Sequence, residues 1–165
     1  MRYHHLPPVR SSAATFVGVA LLSGCLGYVP GEKAYWDGKV DELCKKDGGM
    51  RILQEPHLSE GDRAILLSRA RNGKVSIPIK EVAPSNWPVY GVLTQTYIRD
   101  GNPKVVRSQA DYVRRADGAI IATSVSYTRS GGDFPSHAYP SSYSCPDRRQ
   151  LLLERDKLDE LLTLD

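Results

Sequence analysis

The sequence predicts an α+β domain in which helices near the two ends of the chain flank an antiparallel sheet. Residues 89–99, 104–114 and 119–129 are rich in β-branched and aromatic side chains and are joined by short glycine-containing turns. Strands of about ten residues joined in this way are typical of an antiparallel meander. Residues 33–47 and 148–163 instead repeat apolar side chains at helical spacing. We therefore expect an N-terminal helix, a meander of three or four strands and a C-terminal helix.

The start of the chain has the features of a bacterial export signal. Two arginines charge its first ten residues, and the uncharged stretch that follows has an apolar centre at Ala13–Leu22. This length fits the apolar part of a signal peptide, which is about 7–15 residues. The segment Leu22–Cys25 reads Leu-Ser-Gly-Cys and resembles the bacterial lipobox, in which small residues admit the peptidase and the thiol accepts a diacylglyceryl group. We expect residues 1–24 to be removed and Cys25 to be lipidated.

An uncleaved membrane anchor and a simple secretion signal are the alternatives. Residues 11–31 lack charge over about the 20 residues that a spanning helix needs, but glycines and a proline interrupt them. Acylation contributes about 0.8 kcal/mol per buried CH₂, so two or three chains make a lasting anchor. Leu26, where lipoproteins retained in the inner membrane have Asp, favours the outer membrane and its periplasmic face. Residues 25–33 would form the acylated tether.

The length of the mature chain allows one domain, which we place at residues 34–165. Its charge argues against a nucleic-acid partner. The chain of 165 residues has 22 basic and 19 acidic side chains, but Arg2 and Arg10 leave with the signal. The mature part therefore has a net charge of about +1, with charges that alternate in sign. Nucleic-acid binding requires a basic stripe, which this pattern does not supply.

The first predicted helix, residues 33–47, places a cysteine on its buried side. Its apolar side chains recur at helical spacing: Trp36, Val40, Leu43 and Cys44. Gly48 suits the left-handed residue that often follows a helix. Shorter elements are predicted before the meander: Met50–Gln54 as a strand, residues 60–70 as a helix begun by the Ser59 capping box, Asn72–Gly73 as a turn, Lys74–Lys80 as an edge strand and Pro84–Pro88 as a loop.

The segments after the meander are an irregular stretch, Ser130–Ser144, and the last predicted helix. The apolar stripe of that helix consists of leucines: Leu151, Leu158, Leu161 and Leu162. This stripe favours docking onto the sheet. A self-association seam is the alternative, although two heptads are fewer than the three or four that indicate a coiled coil.

Cys44 and Cys145 are the two cysteines that remain beside Cys25. An exported protein folds in an oxidising compartment, so we expect a disulfide between them. Two other interpretations stay open: a nucleophilic thiol near His57 or His137, and a zinc site that uses both cysteines and both histidines. Neither shows the close spacing that such sites commonly have.

Four segments of the mature chain carry a family resemblance: Tyr35–Gly49, Gly101–Pro103, Arg129–Pro135 and Pro140–Pro146. Together they resemble a family of uncharacterised proteobacterial lipoproteins. The resemblance implies an envelope location and paired cysteines, and it implies no activity.

The sequence favours binding over catalysis. Its glycine runs lie in turns rather than in a phosphate loop between a strand and a helix, and no serine lies in a nucleophile elbow. We therefore expect no enzymatic activity, no cofactor and no metal. Long loops on a rigid sheet often carry function, and residues 130–144 concentrate aromatic side chains. The candidate interaction surface is Trp87, Phe134, His137, Tyr139 and Tyr143. A lid over the sheet, fixed by Cys145, is the alternative.

These features predict a membrane-anchored structural or protein-interaction component of the cell envelope. Its partners would be the membrane, through the lipid, and a periplasmic protein. The alternatives are a periplasmic inhibitor or immunity-type binding protein and a small hydrolase.

Overall fold

The computed structural model describes residues 31–71, 74–133 and 140–163. Within them the helices are α1 (Glu32–Asp47), α2 (Glu60–Ser68) and α3 (Arg148–Thr163). The strands are β1 (Gly49–Ile52), β2 (Val89–Arg99), β3 (Lys104–Arg114), β4 (Ile120–Ser130) and β5 (Ser142–Cys145). The predicted α+β class is confirmed. The predicted signal peptide, Cys25 and the Asn72–Gly73 turn lie outside the described residues.

The sheet is antiparallel, and its strand order is β1-β4-β3-β2. The predicted meander is β2, β3 and β4. On the other side of β4, β1 pairs with residues 122–125 and β5 with residues 127–130, so these two short strands follow one another along β4. The prediction that Ser130–Ser144 is irregular is therefore wrong for residues 142–144, which belong to β5. The four residues of β5 are too few for a clear alternating pattern.

The predicted edge strand Lys74–Lys80 is absent from the sheet, and the prediction is wrong. Within this segment, Ile79 forms a single parallel bridge to Gly91 of the sheet, and Lys74 forms an isolated bridge to Arg71. Pro78 lacks an N–H, so it can only accept a hydrogen bond, and its carbonyl does so from the Gly91 amide.

The left-handed glycine after α1 is Gly49, with φ of 95°, whereas Gly48 is extended. The Ser59 cap is confirmed, because its Oγ accepts a hydrogen bond from the Asp62 amide.

The core consists of two clusters on opposite faces of the sheet. The α1 cluster contains Val40, Cys44, Val105, Val125 and Tyr127. The α2–α3 cluster contains Leu66, Val75, Trp87, Val89, Ile121, Ala122, Leu158 and Leu162. Ala122 and Val125 are three residues apart on β4, so their side chains point to opposite faces. Leu158 and Leu162 are fully buried, which confirms that the C-terminal helix docks onto the domain.

The disulfide between Cys44 and Cys145 is confirmed, with a Cα–Cα distance of 5.9 Å. It joins α1 to the end of β5 across a sequence separation of 101 residues. In the chain-entropy model a loop of this length contributes up to about 4–5 kcal/mol. A Cβ at residue 48 would lie 2.5 Å from the Cys44 sulfur, so the close approach to the disulfide requires glycine there. The bond leaves neither cysteine as the thiolate that a nucleophile or a zinc ligand needs.

Arg129 is a charged residue inside the α1 side of the domain, with 1% of its surface exposed. Its Nε donates to Asp37 Oδ1 of α1 at 2.7 Å. Its Nη1 donates to the Ser141 carbonyl at 3.1 Å, to the Ser141 hydroxyl at 3.0 Å and to the Gly131 carbonyl. A buried guanidinium loses its hydration, so these acceptors must replace water. One side chain thus connects α1, the end of β4 and the start of β5.

A second carboxylate, Asp133, completes this connection. It accepts hydrogen bonds from Lys33 Nζ at 2.8 Å, from the Ser141 amide at 2.5 Å and from the Ser141 hydroxyl at 2.9 Å. These partners, Lys33 first, hold the pKa of Asp133 well below its usual range. The Gly132 amide in turn donates to Asn102 Oδ1 at 2.6 Å. Hydrogen bonds to Asp37, Asn102, Asp133 and Ser141 therefore meet around Arg129 and the two glycines that follow β4.

Candidate functional site

The residues of the predicted interaction surface that the structure describes, Trp87 and Tyr143, lie in different core clusters. Trp87 is 5% exposed and belongs to the α2–α3 cluster. Tyr143 packs against the α1 cluster, and its hydroxyl donates to Asp41 Oδ1 at 2.7 Å, which is the main cause of its raised pKa. The structure therefore does not bring these two residues together. Phe134, His137 and Tyr139 lie outside the described residues, and their part in a surface stays a prediction.

Trp87 instead lines a cleft that the sequence analysis missed. This basic cleft has a volume of about 400 Å³ and is lined by Arg69, Arg71, Lys74, Ser76, Pro78, Pro84 and Trp87. A neighbouring hollow of about 260 Å³ shares Arg71, Lys74 and Ser76 with it. The far wall of the hollow comes from α3: Leu152, Arg155, Asp156 and Asp159.

Local hydrogen bonds fix the walls of the basic cleft. The α2 helix ends at Ser68, and the backbones of Arg71 and Lys74 exchange two hydrogen bonds of 3.0 Å. On the opposite wall, Arg115 Nε donates to the Trp87 carbonyl at 2.7 Å, and its Nη2 donates to the Pro84 carbonyl at 3.2 Å. The β3–β4 turn therefore holds the loop that carries Trp87.

Positive charge dominates the basic cleft. The Arg69 guanidinium lies 5.7 Å from the centre of the Trp87 ring, within the range of a cation–π contact. Lys74 Nζ pairs with Asp156 Oδ1 at 2.6 Å, but both side chains are well exposed, so this ion pair contributes little stability. Three cations line the cleft itself. The arrangement suits an anionic group, because guanidinium groups bind carboxylates and phosphates with paired hydrogen bonds.

Asp159 is a buried carboxyl in the wall of the neighbouring hollow. It is 5% exposed, and its Oδ1 has no hydrogen-bond partner among the described residues. Burial raises its pKa, with Arg155 and Lys74 opposing the shift and Asp156 adding to it. Tyr112 packs against the α2–α3 cluster, and burial raises its pKa as well.

Neither a metal site nor a membrane-spanning helix is found in the residues that the structure describes. Across residues 31–71, 74–133 and 140–163, no three His, Cys, Asp or Glu side chains are grouped so that they could hold a metal ion. No helix in the described segments is both long enough and apolar enough to cross a bilayer.

The sequence does contain a signal for the basic cleft. Residues 68–80 include four basic side chains and no acidic one, which departs from the alternating charges elsewhere. Only the fold shows that Trp87 lies beside them. Comparison with protein-family models, with curated proteins and with solved structures finds no match to this chain. The site is therefore assigned from its geometry alone.

Replacing Asp159 with Asn should make the stability difference from the wild type depend on pH. Because the pKa is raised in the folded state, folding takes up a proton, and this carboxyl favours the folded state most below its unfolded pKa of about 3.9. That contribution is lost as the pH rises through the folded pKa. We expect the free energy of unfolding of Asp159→Asn, relative to wild type, to increase as the pH rises above about 4.

Urea unfolding at a series of pH values measures this difference. Asp159→Leu is the matched control, because neither variant titrates at this position and the difference between them should not change with pH. A wild-type-to-Asn difference that is flat across the series would contradict the buried, protonatable carboxyl.

Proposed function

We propose that this chain is a lipid-anchored protein of the bacterial envelope that acts by binding rather than by catalysis. The signal pattern ending in Leu22–Cys25 supports the anchor, and Leu26 favours the outer membrane with the domain facing the periplasm. The disulfide supports the same location, because such bonds persist in oxidising compartments.

The basic cleft is the structural feature that most supports a binding role. It contains two exposed arginines, and arginine is enriched among the residues that contribute most to protein–protein affinity. Pro78, Pro84 and Trp87 supply an apolar wall beside the three cations. A ligand that fits both parts has carboxylates next to an apolar side chain.

The ligand that we propose is an acidic segment of another periplasmic protein. The arginines would pair with its carboxylates, and the Trp87 wall would cover an apolar neighbour. Both arginines are exposed, so solvent weakens each ion pair, and the affinity would depend on the two pairs together with the apolar contact. The domain would then serve as an interaction component of the envelope.

Replacing Cys25 with Ala in the full chain should abolish acylation and release the protein from membranes. The thiol is the only atom in this segment that can carry the thioether-linked glyceride, so metabolically supplied palmitate should label the parent and not the variant. Leu26→Asp is the matched control, because it should keep the label and move the protein to the inner-membrane fraction. A parent chain that is unlabelled, or that keeps its leader by mass spectrometry, would contradict the anchor.

Replacing Arg69 and Arg71 together with Gln should weaken the binding of an acidic peptide to the full chain by about ten-fold or more. The loss corresponds to at least one charge-assisted hydrogen bond. The probe is a ten-residue peptide of alternating Glu and Leu, titrated by calorimetry at low salt. Lys45→Gln with Lys46→Gln is the matched control, since it removes the same charge from the exposed end of α1.

Equal weakening by both double variants would mean that net charge alone attracts the peptide, and it would contradict the site. Binding of pyrophosphate at the same arginines without binding of the peptide would assign the basic cleft to a phosphate ligand, and it would overturn the acidic-segment proposal.

A further inference from the structure

Among the described residues, none pairs with the backbone on the outer edge of β2 beyond Gly91. β2 is the last strand of the sheet on its side. At Gly91 the edge is covered, because the Gly91 amide donates to the Pro78 carbonyl and its carbonyl accepts from the Lys80 amide, both at 2.8 Å. From Leu93 to Ile98 every residue is exposed, with Leu93 54% and Tyr97 56% accessible.

The backbone groups on this edge have a defined direction. In an antiparallel ladder, alternate residues direct both their N–H and C=O to the same neighbour. Gly91 directs both groups away from β3, so Leu93, Gln95 and Tyr97, which follow it at intervals of two, also direct theirs outward. These three residues present a row of donors and acceptors that another strand could pair with.

The open edge lacks the usual protection against such pairing. Natural edge strands carry charged side chains or prolines, or they are short. The ten residues Val89–Ile98 contain no charge and no proline. A bulge at Ile98, where the register shifts between Tyr97 and Arg99, ends the edge on one side, and Pro78–Lys80 ends it on the other. The free edge is therefore Val92–Ile98.

The side chains of this edge are symmetric about Gln95. The segment Val92–Ile98 reads Val-Leu-Thr-Gln-Thr-Tyr-Ile, so large apolar residues and threonines occur in the same order from either end. A second copy paired antiparallel about Gln95 would place Val92 opposite Ile98, Leu93 opposite Tyr97, and Thr94 opposite Thr96. Aliphatic, aromatic–aliphatic and Thr–Thr pairs are the cross-strand combinations that stabilise antiparallel sheets.

We infer that the chain forms a two-fold dimer through antiparallel pairing of β2 with β2 of a second copy, centred on Gln95. A two-fold axis perpendicular to the sheet leaves each side chain on the same face of the sheet. Two residues can then be opposite each other only if their numbers differ by an even number, and every pair in this register meets that condition. Leu93, Gln95 and Tyr97 of both copies would exchange about six backbone hydrogen bonds. The sheet would continue across the dimer.

A cysteine at position 95 tests this register directly. In the dimer the two residues 95 are opposite each other with their Cα atoms about 5.5 Å apart, within the range that a disulfide spans. Two residues 96 would be offset along the strands by two positions, beyond that range. Under mild oxidation, purified full-length Gln95→Cys should give roughly ten-fold more disulfide-linked dimer on a non-reducing gel than Thr96→Cys.

Two control variants distinguish cross-linking within a specific dimer from cross-linking by random encounters between molecules. Ala116→Cys lies in the exposed β3–β4 turn and should cross-link no more than the parent chain. Gln95→Lys places like charges opposite each other and should make the protein monomeric by light scattering, whereas Ala116→Lys should leave it dimeric. Equal cross-linking at 95 and 116, stronger cross-linking at 96, or a monomeric parent chain would each overturn the proposed dimer.

Discussion

The buried guanidinium of Arg129 is the constraint on which the α1 side of the domain depends. A charge removed from water is tolerated only where acceptors surround it, and here the acceptors come from α1, from the backbone just after β4 and from the residue just before β5. Asp37 must therefore face the sheet, and Ser141 must lie beside Gly131. The disulfide fastens the same two regions a few residues further on, at Cys44 and Cys145. These contacts together fix α1 on one face of the sheet.

The opposite face is organised differently, and this difference bears on the proposed function. There α2, α3 and the segment before β2 pack around Leu66, Trp87 and Leu158, mainly by apolar contact. Irregular backbone links these elements, and it leaves the basic cleft between them. Asp159 lies buried near this region with an oxygen that lacks a partner in the described residues. Covalent and ionic contacts thus hold the α1 side, and the opposite side contains the cleft at which we propose binding.

The sequence predicted the regular elements well, and it predicted the site poorly. β2 and β3 have the predicted bounds and β4 begins one residue later, because long β-branched segments between glycine turns determine their own structure. The strand prediction for Lys74–Lys80 was wrong, since Pro78 lacks a donor and only Ile79 forms a bridge to the sheet. The basic cleft was missed because Arg69 and Trp87 are 18 residues apart and meet only through tertiary packing. The disulfide was predictable, since only two cysteines remained to pair.

A double-mutant cycle on Asp37 and Arg129 tests this account most directly. The free energies of unfolding of Asp37→Asn, Arg129→Met and the combined variant, measured by urea, give the coupling between the two side chains. We expect that the single losses do not add and that the coupling is about 1–3 kcal/mol, while the exposed pair Lys39 and Glu42 shows almost none. Strictly additive losses at Asp37 and Arg129 would show that this ion pair does not hold α1 to the sheet.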